Sequence, residues 1–246
     1  MSKDLLDYQS YLLVIPHPDD EVNCAALLAR ILQQGKGLSV VLITNGSAGQ
    51  NADLRASEMK RSLDAIGLAP EQFHTLNVPE EKLLQSFPQT LDNLKDIVNE
   101  TQPDCLLTLD FDGGHEGHDA SNFLASKAIE HSTTDQIVFP DYHFRNMERY
   151  GLEFLPDRNP DYQIELTDQE KDLKIALLEA HAGQIGFYLR MQKRQANYFE
   201  LLFSREIYRD FPTNFNYLAR PTYQIGYEHH RNGFKFTDFL KAAESV

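Results

Sequence analysis

The segment PHPDDE at positions 16–21 brings an imidazole and three carboxylates together in one short stretch. A short apolar run precedes it and an apolar pattern of helical spacing follows it, so the sequence places the segment between a strand and a helix. Asp19 or Asp20 could simply cap the start of that helix, with Glu21 stabilised near its positive end. That interpretation gives no role to His17, whereas a histidine beside aspartates is typical of a metal site.

A second polar segment, DFDGGHEGHD at 110–119, holds His115 and His118 among glycines and carboxylates. Zinc favours histidine nitrogen and carboxylate oxygen, and catalytic zinc sites keep three protein ligands and one open position for water. His17, Asp20 and His118 would satisfy that count. A pair of histidines three residues apart is usually incidental in a loop, so the prediction depends on both segments together.

Alternating strand and helix patterns supply a fold that could bring the two segments together. This order predicts a Rossmann-like α/β fold, with a mostly parallel sheet and helices on both faces. Such sheets bind ligands at the carboxyl ends of their strands, and both polar segments follow a predicted strand. The predicted strands are 11–15, 38–44, 73–78 and 105–109, and the predicted helices are 21–34, 52–66, 91–100 and 119–131.

The C-terminal part of the chain has a different character. Residues 139–162 are rich in aromatics and arginine and have no clear period, which predicts a long irregular segment that faces the substrate. Helices are expected at 167–182 and 186–203, and a final strand at 223–227. We expect a single domain over 1–246, with a core of about residues 10–185 and a helical, aromatic-rich extension over about 186–246.

Composition excludes several classes of protein. The chain has 246 residues, is 41% hydrophobic and carries a formal charge of −14, without a stripe of Lys and Arg that could bind phosphate backbones. We therefore expect no nucleic-acid partner, and a small neutral or cationic substrate. The N-terminal apolar run is too short for a signal peptide or a membrane span, so a cytoplasmic protein is expected. Cys24 and Cys105 lie in apolar stretches and are expected to be buried.

Several motifs together resemble one family. PHPDDE followed much later by a GHxxH loop is similar to the LmbE-like deacetylases, which include the N-acetylglucosaminylphosphatidylinositol de-N-acetylases (PIG-L). The turn TNGSAG at 44–49 and its following helix agree with this family, as does a late helix that leads into a His-x-x-Gln segment. The resemblance covers about residues 10–185. The further matching residues are Arg55, Glu58, Ala65, Gly67, Lys174, Ala176, His181 and Gln184.

The resemblance implies an activity and a role for each site residue. His17, Asp20 and His118 would bind Zn²⁺, or Fe²⁺ or another divalent ion, since such ions share this kind of site. Asp19 would be the general base for a metal-activated water, and His115 would handle charge or protons on the other side. The implied reaction is removal of an N-acetyl group from an amino sugar or an amino-sugar conjugate.

The sequence departs from the family pattern at two positions. Family members often carry Pro-Asp where this chain has Glu116 and Gly117, and an Asp after the third strand where this chain has NVPE at 77–80. Both departures affect how a substrate would be placed rather than how the metal would be bound.

Five residues are candidates for substrate binding, each with a plainer alternative. Arg55 could donate two hydrogen bonds to sugar hydroxyls or to a phosphate, or it could form an ion pair with Glu58 on its own helix. Aromatic and arginine residues of the 139–162 segment could stack on a sugar ring, but such residues are more often core or oligomer contacts. His181 and Gln184 could bind substrate, or they could instead cap a helix end. The remaining candidates are Tyr142, Arg145, His181 and Gln184.

Two other functions stay open at the level of sequence. An Asp pair after the first strand could bind Mg²⁺ in a phosphoryl-transfer protein, although the histidines argue against this because hard cations prefer oxygen ligands. A non-catalytic protein of the same fold could bind metal or sugar, but it would not need Asp19 beside the ligands. The aromatic tail at 221–236 could form a contact between copies of the chain.

Overall fold

The computed structural model describes residues 4–47, 51–230 and 234–246. Ala48 and Gly49 of the predicted turn at 44–49 lie outside these residues. The strands are β1 Ser10–Ile15, β2 Gly37–Thr44, β3 Phe73–Val78, β4 Cys105–Leu109, β5 Asp135–Phe139, β6 Tyr142–Arg145, β7 Glu148–Gly151, β8 Tyr162–Glu165 and β9 Arg205–Asp210. The α-helices are α1 Ala25–Gln33, α2 Ala52–Ile66, α3 Phe87–Thr101, α4 Glu116–Ala128, α5 Asp168–Ala180, α6 Ile185–Arg194, α7 Tyr198–Ser204, α8 Tyr227–His230 and α9 Phe236–Ala243.

The central sheet has seven strands in the order β3-β2-β1-β4-β5-β9-β8. The first five strands of this order are parallel, and β9 runs antiparallel to both β5 and β8. A separate two-stranded antiparallel sheet is formed by β6 and β7. The predicted mostly parallel α/β fold is confirmed, and the sheet also includes a strand, β9, from the predicted C-terminal extension.

Helices cover both faces of the sheet and form an apolar core on each face. The side chains of β1 alternate between these two cores. Tyr11, Leu13 and Ile15 pack in one core with α1, α2 and α5. Leu12 and Val14 pack in the other core with α3, α4 and α9. All five side chains are essentially inaccessible, and a strand buried on both faces reads as a continuous apolar run.

Most predicted elements of the N-terminal half are observed. β3, β4 and α2 have the predicted bounds, and the predicted helix at 21–34 begins as a 3₁₀ helix, Asp20–Cys24, before α1. Cys24 and Cys105 are buried and free, as expected. In the described part of the chain, no helix is long and apolar enough to cross a membrane.

Predictions for the C-terminal half were less accurate. The predicted strand at 223–227 is wrong, since Tyr227 begins the short helix α8. The segment 139–162 is not wholly irregular, because it contains the β6–β7 hairpin. Asn146 and Met147 form its two-residue loop, and both have positive φ, 50° and 66°. Such a turn is usually marked by Asn-Gly, and methionine in place of glycine hides the signal.

The remaining differences concern long-range pairing and the tail. β5, β8 and β9 were not predicted, and the predicted helix at 186–203 is two helices, α6 and α7. Between them Gln195 turns inward and hydrogen-bonds the backbone of Gly151 in both directions. Tyr227 and Phe236 of the aromatic tail are buried in the chain's own core.

A buried ion pair joins β9 to two helices. The ammonium of Lys174 in α5 lies 2.9 Å from Oε1 of Glu206 in β9, and both side chains are 1% exposed. The carboxylate of Glu206 also accepts hydrogen bonds from the backbone N–H groups of Ala26 and Leu27, in the first turn of α1. Since α1 has no side-chain cap of its own, Glu206 satisfies donors that would otherwise be unpaired.

We expect Lys174→Ala to destabilise the protein by about 3–5 kcal/mol, because it leaves the Glu206 carboxylate buried without its cation. The matched control is Lys171→Ala on the same helix, whose partner Asp168 is exposed; it should leave the free energy of unfolding nearly unchanged. Urea denaturation of the three proteins measures both effects. Equal stability of the two variants would contradict a structural role for the buried pair.

Candidate metal centre

The first polar segment lies at the carboxyl end of β1, as predicted. His17 and Asp20 are 8% and 5% exposed. One oxygen of Asp20, Oδ2, accepts the backbone N–H of His17 at 2.8 Å and lies 3.4 Å from its ring Nδ1. Asp19 directly precedes the 3₁₀ helix but makes no side-chain cap hydrogen bond. The capping interpretation of the aspartates is therefore not supported by the geometry.

The second polar segment follows β4 and leads into α4. His115 occupies the N-cap position, where its Nδ1 accepts the backbone N–H of Gly117 at 2.9 Å. Nε2 of His118, in the first turn of α4, lies 3.4 Å from Oδ1 of Asp20. The ring centroids of His17 and His115 are 4.5 Å apart, and those of His115 and His118 are 4.9 Å apart. The two segments therefore meet, because β1 and β4 are neighbours in the sheet.

Two groups of buried side chains offer donor atoms close enough to share an ion. Donor atoms of His17, His115 and His118 lie within 4.8 Å of one another, and so do those of Asp20, His118 and Asp141. The predicted triad draws on both groups, with Asp20 between the two histidines. Nε2 of His17 is buried and has no hydrogen-bond partner. A buried nitrogen of this kind normally has a partner, and a metal ion would provide one.

Asp19 is held in a strained conformation beside these donors. Its φ is 104°, a value that non-glycine residues rarely adopt. The guanidinium of Arg55 donates to Oδ1 of Asp19 at 2.9 Å and to the carbonyl of Pro18. Burial raises the pKa of the Asp19 carboxyl to about 7, although Arg55 opposes this effect. Burial thus favours the protonated carboxyl, whereas the guanidinium of Arg55 favours the carboxylate.

Glu21 supports the same turn from behind. Its Oε2 accepts the backbone N–H of Asp19 at 3.0 Å, and its Oε1 accepts from the hydroxyl of Ser62 and lies 2.5 Å from Nε2 of His181. Burial alone would raise the pKa of Glu21, but the neighbouring His181 brings it below its usual range. Glu21 and His181 are fully buried, so this network fixes the backbone of the turn.

The predicted substrate residues lie in different places around the centre. Tyr142 and Gln184 line a cavity of about 150 Å³ next to the donor groups. Arg55 also lines it, but its guanidinium is paired with Asp19 and with Glu58. His181 does not line the cavity, and its Nε2 instead contacts the carboxylate of Glu21. The guanidinium of Arg145 lies over the ring of Tyr150, 3.8 Å from its centroid, and Arg145 does not line the cavity.

Other residues of the cavity were not predicted. Asp141 lies two residues after the end of β5 and receives a hydrogen bond from Asn23 at 3.0 Å. Glu80 begins the 3₁₀ helix Glu80–Ser86 after β3. Recognition of β5 would have pointed to Asp141 as another polar residue at a strand end. A larger cavity of about 1110 Å³ lies at the opposite ends of the strands and contains none of the predicted site residues.

The fold and its donor groups define a class of protein: an α/β protein with a histidine- and aspartate-lined centre at the carboxyl ends of its parallel strands. Residues 12–129 match the family described as GlcNAc-PI de-N-acetylase, or PIG-L. The matched residues include both polar segments, so the comparison agrees with the family resemblance that the motifs indicate.

Two known deacetylases are similar to this chain, one in sequence and one in fold. The 1D-myo-inositol 2-acetamido-2-deoxy-alpha-D-glucopyranoside deacetylase of Corynebacterium diphtheriae is 24% identical, with 74% of this chain and 78% of that protein covered. The N,N'-diacetylchitobiose deacetylase from Pyrococcus horikoshii has a similar structure, with a TM-score of 0.63, 18% identity, and 84% and 85% of the two chains covered.

A second solved structure has the same fold and a different printed activity. The 4-carboxy-2-hydroxymuconate hydratase from Pseudomonas putida KT2440 matches with a TM-score of 0.57 and 17% identity, over 83% of this chain and 97% of that one. Similarity at this level shows the fold alone. The reaction must therefore be argued from the side chains of the site.

We predict that Asp141 orients His118 for metal binding. Its Oδ2 lies 3.7 Å from Nδ1 of His118, on the side of the ring opposite Asp20. Carboxylates in this position fix the tautomer of a ligating histidine. Asp141→Asn should weaken zinc affinity about 10- to 100-fold, measured by competition with a chromogenic chelator. Asp157→Asn, at an exposed position, is the control, and equal affinity of both variants would exclude this role.

Proposed function

We propose that the protein is a metal-dependent hydrolase that removes an acetyl group from the nitrogen of an amino sugar or of an amino-sugar conjugate. The observation that carries the proposal is the partly buried carboxyl of Asp19, which Arg55 holds beside convergent His and Asp donors. A purely binding protein has no need of a strained carboxyl in that position. The two named deacetylases with related sequence or fold support the choice of reaction.

The donor set suits zinc, with Fe²⁺ or another divalent ion as the alternative. Histidine nitrogens predominate in it, and the buried Nε2 of His17, one of these nitrogens, has no hydrogen-bond partner. Magnesium prefers oxygen ligands, so the nitrogen-rich donors argue against the phosphoryl-transfer reading. A zinc-type ion supplies a Lewis acid that makes hydroxide available near neutral pH and stabilises negative charge on a carbonyl oxygen.

Three side chains perform the remaining work. Asp19 accepts a proton from the attacking water, with its carboxyl oriented by Arg55. His115 faces the same cavity and donates a hydrogen bond or a proton to the oxygen or the leaving nitrogen of the acetamide. Proton transfer by a positioned side chain contributes about 10²- to 10⁴-fold to a rate.

The cavity favours a neutral or cationic substrate. Glu80 and Asp141 add negative charge to the aspartates of the first loop. Arg55 is the only Lys or Arg among the described residues that line the cavity, and both Asp19 and Glu58 compensate its charge. Tyr142 and Phe187 provide aromatic walls that could contact a sugar ring. An uncharged N-acetylated amino sugar suits these walls.

We expect the purified protein to contain close to one zinc or iron per chain. His118→Ala should lower this content to near zero, because it removes a donor shared by both groups. Elemental analysis under identical preparation measures the content, and His131→Ala at an exposed position is the control. Equal metal in all three proteins would remove His118 from the centre and favour the magnesium or binding-protein alternative.

We expect the protein to release acetate from N-acetylglucosamine or its conjugates, and Asp19→Asn to lower kcat about 10²- to 10⁴-fold while the metal stays bound. Asparagine preserves the acceptor for Arg55, so the turn is retained. Acetate release is followed by a coupled assay, with Asp64→Asn, at an exposed position on α2, as the control. Full activity of the Asp19 variant would exclude Asp19 as the base.

A further inference from the structure

Two carboxylates flank the ring of His115. Oε2 of Glu116 lies 3.5 Å from Nδ1, and Oε1 of Glu80 lies 3.8 Å from Nε2. Glu116 is the neighbour in sequence, whereas Glu80 comes from the segment after β3. Only one of them faces the nitrogen that carries a proton in the neutral ring, since neutral imidazole has one donor and one acceptor.

The hydrogen bond from Gly117 decides between them. Because Nδ1 of His115 accepts the backbone N–H of Gly117 at 2.9 Å, Nδ1 presents a lone pair and the proton of the neutral ring lies on Nε2. Glu116 therefore faces a nitrogen with no proton to share. Glu80 faces the N–H, and its side chain is only 9% exposed, which strengthens the electrostatic attraction.

The second loop has no room for a carboxylate at position 117. A Cβ atom there would lie 2.8 Å from Cε1 of His17 and 3.2 Å from Nδ1 of His115. Gly117 thus permits the close approach of the two rings. The sequence departures at 77–80 and at 117 are then connected, because Glu80, from the 3₁₀ helix after β3, supplies beside His115 the carboxylate that position 117 lacks.

We propose that Glu80 is a positioning residue that holds His115 with its Nε2–H directed into the cavity. The inference rests on the proposed function, in which His115 donates to the acetamide. Oε1 of Glu80 also lies 3.6 Å from Nε2 of His17, so one carboxylate lies beside both imidazoles. Glu80 therefore acts through His115. It belongs to the segment after β3, which supplies none of the predicted ligands.

The variants Glu80→Gln and Glu80→Asp test this role, with Glu81→Gln as the matched control at the exposed neighbouring position. Long-range ¹H–¹⁵N NMR reports the tautomer and the ring ¹⁵N chemical shifts of His115, assigned with His115→Gln. We expect the Nε2–H tautomer in the unaltered protein and in Glu80→Gln, because Gly117 donates to Nδ1 in both. The chemical shift of Nε2 should change in Glu80→Gln, because this nitrogen loses its neighbouring carboxylate. We also expect kcat to fall about 10- to 100-fold at nearly constant KM, as for other carboxylates that orient a histidine, with partial recovery in Glu80→Asp.

The other outcomes overturn the proposal. A rise in KM at constant kcat would make Glu80 a substrate contact, and weaker zinc affinity by chelator competition would make it a ligand. An unchanged chemical shift of His115 Nε2 in Glu80→Gln would exclude the pairing. If the unaltered protein releases no acetate from any N-acetylated sugar while the Nε2 shift still depends on Glu80, the proposed function fails and the pairing stands. Active protein with a Glu80-independent Nε2 shift gives the opposite result.

Discussion

Three consecutive carboxylates follow β1, and the surrounding structure must compensate their charge: Asp20 and Glu21 are buried, and Asp19 is partly buried. Burying an uncompensated carboxylate costs several kcal/mol, so each requires a cation or several donors. Arg55 from α2 pairs with Asp19, and His181 at the end of α5 pairs with Glu21. Asp20 meets histidines from its own loop and from α4. The positions of three helices are thus coupled to one short turn.

This coupling explains how a strained residue can persist at the centre. The left-handed backbone of Asp19 costs of order 1–3 kcal/mol, and hydrogen bonds from Arg55 and to Glu21 offset that cost. The same bonds fix the direction of the Asp19 carboxyl, which a general base requires. Arg55 and His181, both predicted to bind substrate, also lie where they hold Asp19, the proposed base. The same contacts therefore sustain the strained backbone of Asp19 and direct its carboxyl.

The sequence predicted the parallel half of the fold because local signals specify it. Buried strands appear as apolar runs, helices appear at their period, and the polar loops at strand ends indicate the site. β9 and β8 depend instead on partners distant in the chain, and β9 begins with charged residues that obscure its pattern. Asp141 and Glu80 were not identified as site residues for a related reason: each is a single carboxylate that follows a strand without any surrounding motif.

The strand order accounts for the convergence of these separate residues. β1 lies between β2 and β4. From β1 the chain adds β2 and β3 on one side of the sheet, and it then crosses over to add β4 and β5 on the other side. Crevices form at such a switch point, because neighbouring connections diverge to opposite faces. Loops after β1, β3, β4 and β5 all reach the same cavity and deliver His17, Glu80, His118 and Asp141. These four residues come from four different strand ends, so the centre exists only when the sheet has formed, and no isolated motif of this chain could assemble it.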